Sequence, residues 1–180
     1  MVNRNEIGLD IAKLQRQAYE THKAKGWEDR YERNPDGTLT ARQLLELVCL
    51  VTDELDEADL ESGPNFFYVD HDGKPCGVAV EVVDAIIRTL NIISSCGLAA
   101  EMTWVHALGC KTQRARHTLV KSIRHGRPLE EIGTNLNVLL SELFERLICY
   151  RPENATIADV FKSKMAYNAT RPNRHGGQLA

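Results

Sequence analysis

The chain has 180 residues, of which 43% are hydrophobic, so it has enough apolar material for the core of one compact domain. Its formal net charge of -3 at pH 7 gives no general reason to expect binding to nucleic acid or to a membrane. No apolar run approaches the ~20 residues of a membrane span, and the first residues lack the apolar stretch of a signal peptide. These features predict a cytoplasmic protein.

The cysteines give no sign of a disulfide framework or of a structural zinc site. There are five, an odd number, and no two of them have the spacing CxxC. Cys49, Cys96 and Cys149 lie within apolar helical stretches. We therefore expect reduced and mostly buried thiols.

Apolar residues recur with a helical period through nearly the whole chain, which predicts an all-α fold. A first helix ends near Gly26. Thr40 and Gln43 have the spacing of a capping box and open a second helix over about 41–61. Residues 62–77 contain glycine, proline and aromatic residues and are predicted to form a connecting loop.

The second half of the chain continues the helical pattern. A third helix is predicted over about 79–99, and another over 128–149, with Pro128 in its first turn. Thr156 and Asp159 indicate the start of a last helix, which must end before Pro172.

The third helix carries a polar stripe through an aliphatic segment. At about 100° per residue, Glu81, Asp84, Arg88 and Asn91 lie on one face. Burying carboxylates is costly unless a cation or a metal ion compensates them. This stripe therefore indicates a site rather than part of the core.

The second helix carries a similar pair of acids, Glu54 and Glu57, beside its own core face. If the two helices pack together, these carboxylates converge with Glu81 and Asp84. Four acids in a groove of low dielectric repel one another unless divalent cations bind. Carboxylate ligands of this kind suit Mg²⁺, for which Mn²⁺ may substitute.

The end of the chain supplies groups that suit phosphate. Lys164 and Asn168 lie on one helical face, and Arg171, Arg174 and His175 follow in a segment without an apolar pattern. Lysine and arginine neutralise phosphate charge, and arginine does so bidentately. This arrangement predicts a basic tail over 171–180 that contacts a phosphorylated substrate.

The acids and their spacing resemble the signature of the MazG-like, all-α nucleoside triphosphate pyrophosphohydrolases. Glu54-x-x-Glu57, a gap over 58–80 and Glu81-x-x-Asp84 carry the resemblance, with "HKAKGW", "GKPCGVAVEVVDAIIR" and "KMAYNATRPNRHGG". These segments are similar to those of short bacterial and phage members. The resemblance covers roughly residues 6–100 and 157–178, and it implies one MazG-like helical domain over 1–180.

The resemblance also implies a reaction and roles for particular residues. The four acids hold Mg²⁺, and water attacks the triphosphate to give a nucleoside monophosphate and pyrophosphate. Lys164, Asn168, Arg171 and Arg174 are implied to bind phosphate. Many relatives have Glu-Glu where this chain has Asp53-Glu54, so activation of the water stays open between these two residues. The family further implies a dimer or a tetramer.

One segment departs from the short relatives. Residues 101–154 form a predicted helical insert, and its part from Lys111 to Arg127 contains six basic residues and no acid. This basic segment either contacts nucleic acid or covers the acidic face of a neighbouring subunit, and we favour the second. The following helix over 128–149 is apolar enough for an oligomer interface.

The expected activity is hydrolysis of a (deoxy)nucleoside triphosphate. Relatives of the MazZ type, from phages with 2-aminoadenine DNA, act on dGTP, so a deoxypurine triphosphate is favoured over dUTP or dCTP. Trp27 is the candidate surface for base stacking, and Asn91 or Gln17 are candidates for polar contacts with the base. The competing hypothesis is a non-enzymatic helical protein that binds nucleic acid.

Overall fold

The computed structural model describes residues 9–61, 66–102 and 111–171. The fold is all-α, as predicted, and the described residues form these helices: α1 Ile11–Ala24, α2 Ala41–Leu60, α3 Val78–Ser95, α4 Thr112–Arg124, α5 Leu129–Cys149 and α6 Ile157–Thr170. A short 3-10 helix, Glu28–Arg30, lies between α1 and α2. The predicted loop over 62–77 contains a small antiparallel hairpin of β1 Tyr68–Val69 and β2 Pro75–Cys76.

Helix α3 is the centre of the bundle and contacts α1, α2, α5 and α6. Its aliphatic residues form the core: Val82, Val83, Ile86, Leu90 and Ile93 are fully buried. Because α3 is surrounded by other helices, its polar stripe is also largely covered: Glu81 and Asn91 are buried, and Asp84 and Arg88 are half-buried. The elements around that stripe determine what the polar side chains contact.

The helix ends follow local capping rules, with two differences from prediction. The Thr40 side chain accepts from the Gln43 backbone N–H, but the Gln43 side chain accepts from the Glu32 N–H, so the predicted capping box is only half formed. Thr156 and Asp159 form a complete box. Helix α3 ends at Ser95 rather than near residue 99, because Gly97 adopts φ +72° and turns the chain.

The apolar face of helix α5 is buried within the chain. It packs against α3 and α4, and these apolar side chains are buried: Ile132, Leu136, Leu139, Leu140, Leu143, Phe144 and Leu147. This burial explains the apolar pattern without an oligomer interface. The basic residues of α4 lie mostly on the opposite side of that helix, where Arg114, Lys121 and Arg124 are exposed.

The expectation of mostly buried thiols is wrong for the four cysteines that the structure describes. Cys49 and Cys149 are exposed, and Cys76 and Cys96 are half-buried; all four are free. The first two occupy the outer faces of helices whose opposite faces form the core. Cys110 lies outside the described residues. Across the described ranges, no helix combines the length and the apolar content that a membrane span needs.

Candidate metal and phosphate site

A cavity of about 890 Å³ lies among α1, α2, α3 and α6, which places it along the polar stripe of α3. This volume is within the range of about 300–1,000 Å³ that is common for small-molecule sites. Acidic side chains line it: Glu46, Glu54, Glu57, Glu81 and Asp84. Cationic side chains line it as well: Lys25, Arg30, Lys74, Arg88, Lys164 and Arg171.

Three of the four predicted acidic ligands meet at one place in this cavity. Carboxylate oxygens of Glu54, Glu57 and Glu81 all lie within 4.8 Å of one another. Glu54 and Glu81 are buried, whereas Glu57 is exposed. The i, i+3 spacing on α2 and the contact between α2 and α3 bring this group together.

Arg88 forms an ion pair with the buried carboxylate of Glu54. Its Nε and Nη2 atoms donate to Oε1 of Glu54 at 2.6 and 2.5 Å. Burial nevertheless raises the pKa of Glu54, although the nearby Arg88 guanidinium acts in the opposite direction. Because both donors bind Oε1, the other carboxylate oxygen of Glu54 is not used by this ion pair.

Lys164 and Asn168 hold the fourth acid, Asp84, and this pairing was not predicted. Nζ of Lys164, whose side chain is 4% exposed, lies 2.5 Å from Oδ2 of Asp84. Nδ2 of Asn168 donates to Oδ1 of Asp84 at 3.5 Å. Two residues predicted to bind phosphate therefore contact a predicted metal ligand in this structure.

Glu81 differs from Glu54 and Asp84 because it forms no ion pair with the residues that the structure describes. It is 7% exposed, and neither Arg88 nor Lys164 pairs with it. Burial raises the pKa of Glu81 from 4.5 to about 7; Lys164 lowers it, and Asp84, Glu54 and Glu57 raise it further. A buried carboxylate in this position is stabilised by any cation that reaches it.

The donor set fits a divalent cation of the Mg²⁺ type. The ligands within reach are carboxylate oxygens from Glu54, Glu57 and Glu81, which are hard donors. No histidine or cysteine belongs to this group, so the donor set does not favour zinc. The main support for this fit is Glu81, which is buried and has no ion pair within the described part of the chain.

Apolar and aromatic side chains also line the cavity: Ala18, Trp27, Tyr31, Leu47, Ile87 and Ile92. Nε2 of His22 lies 2.6 Å from the Tyr31 hydroxyl, and burial lowers the pKa of His22 to about 4, so this histidine is neutral at pH 7. Trp27 is half-buried here, where a base could contact it.

Asn91 is the last residue of the polar stripe on α3. It is 8% exposed, and its Oδ1 atom has no hydrogen-bond partner among the residues described. The structure thus brings the predicted Asn91 to the cavity wall. Gln17, the alternative base contact, is exposed and does not line the cavity.

The remaining predicted residues have varied positions. Asp53 is exposed on α2 and is not part of the cavity lining, so Glu54 alone of that pair reaches the site. Arg171 is exposed and lines the cavity. Nζ of Lys25 donates to the backbone oxygens of Ala169, at 3.0 Å, and Arg171, and so connects the end of α1 to the end of α6. Arg174 and His175 lie outside the described residues.

Sequence reasoning missed His22 and Tyr31 in the cavity lining, and Lys25 and Lys74 among its cations. His22 and Lys25 belong to "HKAKGW", so the resemblance contained a signal for two of them. The Tyr31 and Lys74 positions depend on turns and on the hairpin, which helical periodicity does not describe.

A second acidic group lies apart from this cavity. Ligand atoms of Asp70, His71 and Asp72 approach within 4.8 Å of one another in the hairpin turn. His71 and Asp72 are exposed, and the Asp70 carboxylate accepts from the backbone N–H groups of Asp72 and Lys74. These hydrogen bonds belong to the hairpin turn, so the turn itself accounts for the close approach of the three side chains.

No family model matches the chain, and searches of curated proteins and of solved structures also gave no match.

Proposed function

We propose that the chain is a Mg²⁺-dependent nucleoside triphosphate pyrophosphohydrolase, which converts a (deoxy)nucleoside triphosphate to the monophosphate and pyrophosphate. The observation that carries the proposal is the group of Glu54, Glu57 and Glu81 in a cavity that apolar and aromatic side chains also line. This arrangement offers a cation site for a triphosphate and an apolar site for a base. The resemblance of the acid pattern to MazG-like enzymes supports the same reaction.

In this proposal the position of each residue in the cavity determines its role in the reaction. Glu54, Glu57 and Glu81 hold Mg²⁺, which when bound polarises phosphoryl oxygens and lowers the pKa of bound water. Arg88 fixes one oxygen of Glu54. Of the two candidates for activating the attacking water, only Glu54 lines the cavity, so this role is given to the Glu54 carboxylate rather than to Asp53.

The cations around the cavity orient the triphosphate and neutralise its charge. Lys74 and Arg171 form no ion pair with the described residues, so they can contact phosphate oxygens directly. Lys164 is held by Asp84, and its role is to fix that carboxylate and to lend positive potential to the site. A deoxypurine such as dGTP is the preferred substrate in this proposal, and dUTP or dCTP is the alternative.

The competing proposal is nucleic-acid binding through α4. Its exposed face carries Arg114, Lys121 and Arg124, and no ion pair between described residues involves an α4 side chain. A role of α4 against the acidic surface of a second copy in a homo-oligomer also fits this face. Neither role explains the buried acids of the cavity, so we place them second.

Purified protein with Mg²⁺ and a panel of triphosphates tests the proposal. Wild-type protein should release pyrophosphate, and Glu57→Gln should lose nearly all turnover while keeping its helical signal. Asp56→Asn is the matched control, because Asp56 is an exposed acid on α2 that does not line the cavity. Salt-dependent DNA binding without turnover would instead support the α4 proposal.

A further inference from the structure

The acids that line the cavity differ in whether the chain itself supplies a cationic partner. Three of them form ion pairs between described residues: Glu46 with Arg42, Glu54 with Arg88, and Asp84 with Lys164. The other two, Glu57 and Glu81, form no ion pair with any described residue. When both are ionised they carry two negative charges, which one divalent cation neutralises.

The partner of Asp84 is a lysine held in the protein interior. The Lys164 side chain is 4% exposed, and its Nζ atom lies 2.5 Å from Oδ2 of Asp84. Lys164 follows Val160 and Phe161 on α6, and both of these residues are buried in the core. Because this packing fixes α6, and because a buried ammonium without a partner is costly, the ammonium stays beside Asp84.

Asp84 differs from Glu81 because both of its carboxylate oxygens have donors. Oδ2 pairs with Lys164, and Oδ1 accepts a hydrogen bond from Nδ2 of Asn168 at 3.5 Å. The carboxylates that lie within 4.8 Å of one another are those of the three glutamates, and Asp84 does not belong to that group. A cation therefore reaches Glu81 without displacing another charge, whereas at Asp84 it has to displace the ammonium.

We propose that Lys164 takes the place of a second divalent cation: without substrate, Glu54, Glu57 and Glu81 bind one ion, and the Lys164 ammonium neutralises Asp84. The inference rests on the proposed function for the kind of ion that enters the cavity. Two-metal sites of phosphate-transferring enzymes hold their ions about 3.5–4 Å apart between carboxylates. Here an amino group already occupies the fourth carboxylate, so any further ion has to arrive with the phosphates of the substrate.

The experiment counts the Mn²⁺ ions bound at equilibrium in the absence of nucleotide, from the electron paramagnetic resonance signal of free Mn²⁺. Wild-type protein should bind one ion per chain, and Glu81→Gln should weaken this ion by about tenfold or more. The glutamine variant also identifies the site. An ion held by the exposed group of Asp70, His71 and Asp72 would not depend on Glu81.

Removing the lysine should create the site that the wild-type protein lacks. Lys164→Met leaves Asp84 without its ammonium, so this variant should bind a second Mn²⁺ per chain. Adding Asp84→Asn should return the count to one, with an affinity within about threefold of wild type, because this double variant keeps the net charge and all three glutamates. Circular dichroism establishes that each variant is folded.

Lys162→Met is the matched control. Lys162 lies on the same helix and loses the same charge on substitution, but it is exposed and does not line the cavity. This variant should bind one ion with the affinity of wild type. A second ion in Lys162→Met as well as in Lys164→Met would mean that the gain comes from the general loss of positive charge, and would overturn the inference.

The count in wild-type protein and in the double variant decides the question even if Lys164→Met alone does not fold. Two ions per wild-type chain would overturn the inference, because Asp84 would then be a ligand beside Lys164. A double variant that binds its ion more weakly than about threefold below wild type would overturn it too. The same holds for a folded Lys164→Met variant that still binds one ion.

Turnover of triphosphates, measured on the same samples with Mg²⁺, separates this inference from the proposed function. One Mn²⁺ per wild-type chain without turnover of any triphosphate would keep the inference and reject the hydrolase. Two ions per chain with turnover would reject the inference and leave the hydrolase standing. A wild-type protein that binds no Mn²⁺ without nucleotide would also reject the inference, and turnover alone would then decide on the hydrolase.

Discussion

Replacing Glu81 with glutamine should stabilise the metal-free protein, because it removes a buried and unpaired charge. Burial raises the pKa of Glu81 from 4.5 to about 7. Because the pKa of Glu81 is higher in the folded than in the unfolded protein, the unfolded chain loses this proton at a lower pH. The free energy of unfolding therefore falls as the pH rises from about 4.5 to about 7. The full cost above about pH 7 is roughly 3 kcal/mol, at about 1.4 kcal/mol per pKa unit.

The glutamine side chain at position 81 carries no charge at any pH. The stability gain of Glu81→Gln over wild type should therefore grow over the same pH range. The difference in unfolding free energy should be near zero below pH 4.5 and approach roughly 3 kcal/mol above about pH 7, a melting-temperature difference of about 6–12 °C for a chain of this size. Chelator must be present throughout. Thermal and urea denaturation over this pH range, with Asp56→Asn as control, measure the effect.

Mg²⁺ should reverse this order. Binding to the folded state stabilises wild-type protein, whereas the glutamine variant lacks one carboxylate ligand and should gain much less. An advantage for Glu81→Gln that is the same at low and high pH, or wild-type protein that is the more stable of the two above pH 7 in chelator, would refute the assignment of Glu81 as an uncompensated acid.

Three further changes test the surrounding contacts. Lys164→Met should destabilise the protein by roughly 3 kcal/mol in urea denaturation, because Asp84 is left without its cation; adding Asp84→Asn should recover most of this loss. Arg88→Leu should destabilise in the same way through Glu54, by about 1–3 kcal/mol since Arg88 is partly exposed, and a neutral result would contradict the pairing. Truncation after Thr170 removes Arg171, so it should leave the helical signal intact and raise the Michaelis constant; an unchanged constant would exclude a phosphate contact in the tail.

Helical periodicity was sufficient to predict the bundle and the location of the acids. The aliphatic residues around Glu81 and Asp84 repeat with the helical period, and their burial in α3 follows from that repeat. Periodicity describes one helix at a time, however. It did not show that the apolar face of α5 is used within the chain, or that Cys49 faces outward.

The pairing of the charges could not be predicted from the same pattern. Lys164 and Asp84 are 80 residues apart in the sequence, and their contact depends on how α6 packs on α3. Local spacing placed Lys164 on a basic face and suggested phosphate as its partner. The structure instead pairs Asp84 and Glu54 with the chain's own cations, and Glu81 has no ion pair among the described residues.

The central claim is tested most directly by separating the products that wild-type protein forms from each common triphosphate, with Mg²⁺ and with chelator. We predict nucleoside monophosphate and pyrophosphate in equal amounts, formed only with the metal ion and nearly abolished by Glu57→Gln but not by Asp56→Asn. Nucleoside diphosphate with inorganic phosphate as the products, or no turnover of any triphosphate with Mg²⁺ or Mn²⁺, would contradict the account.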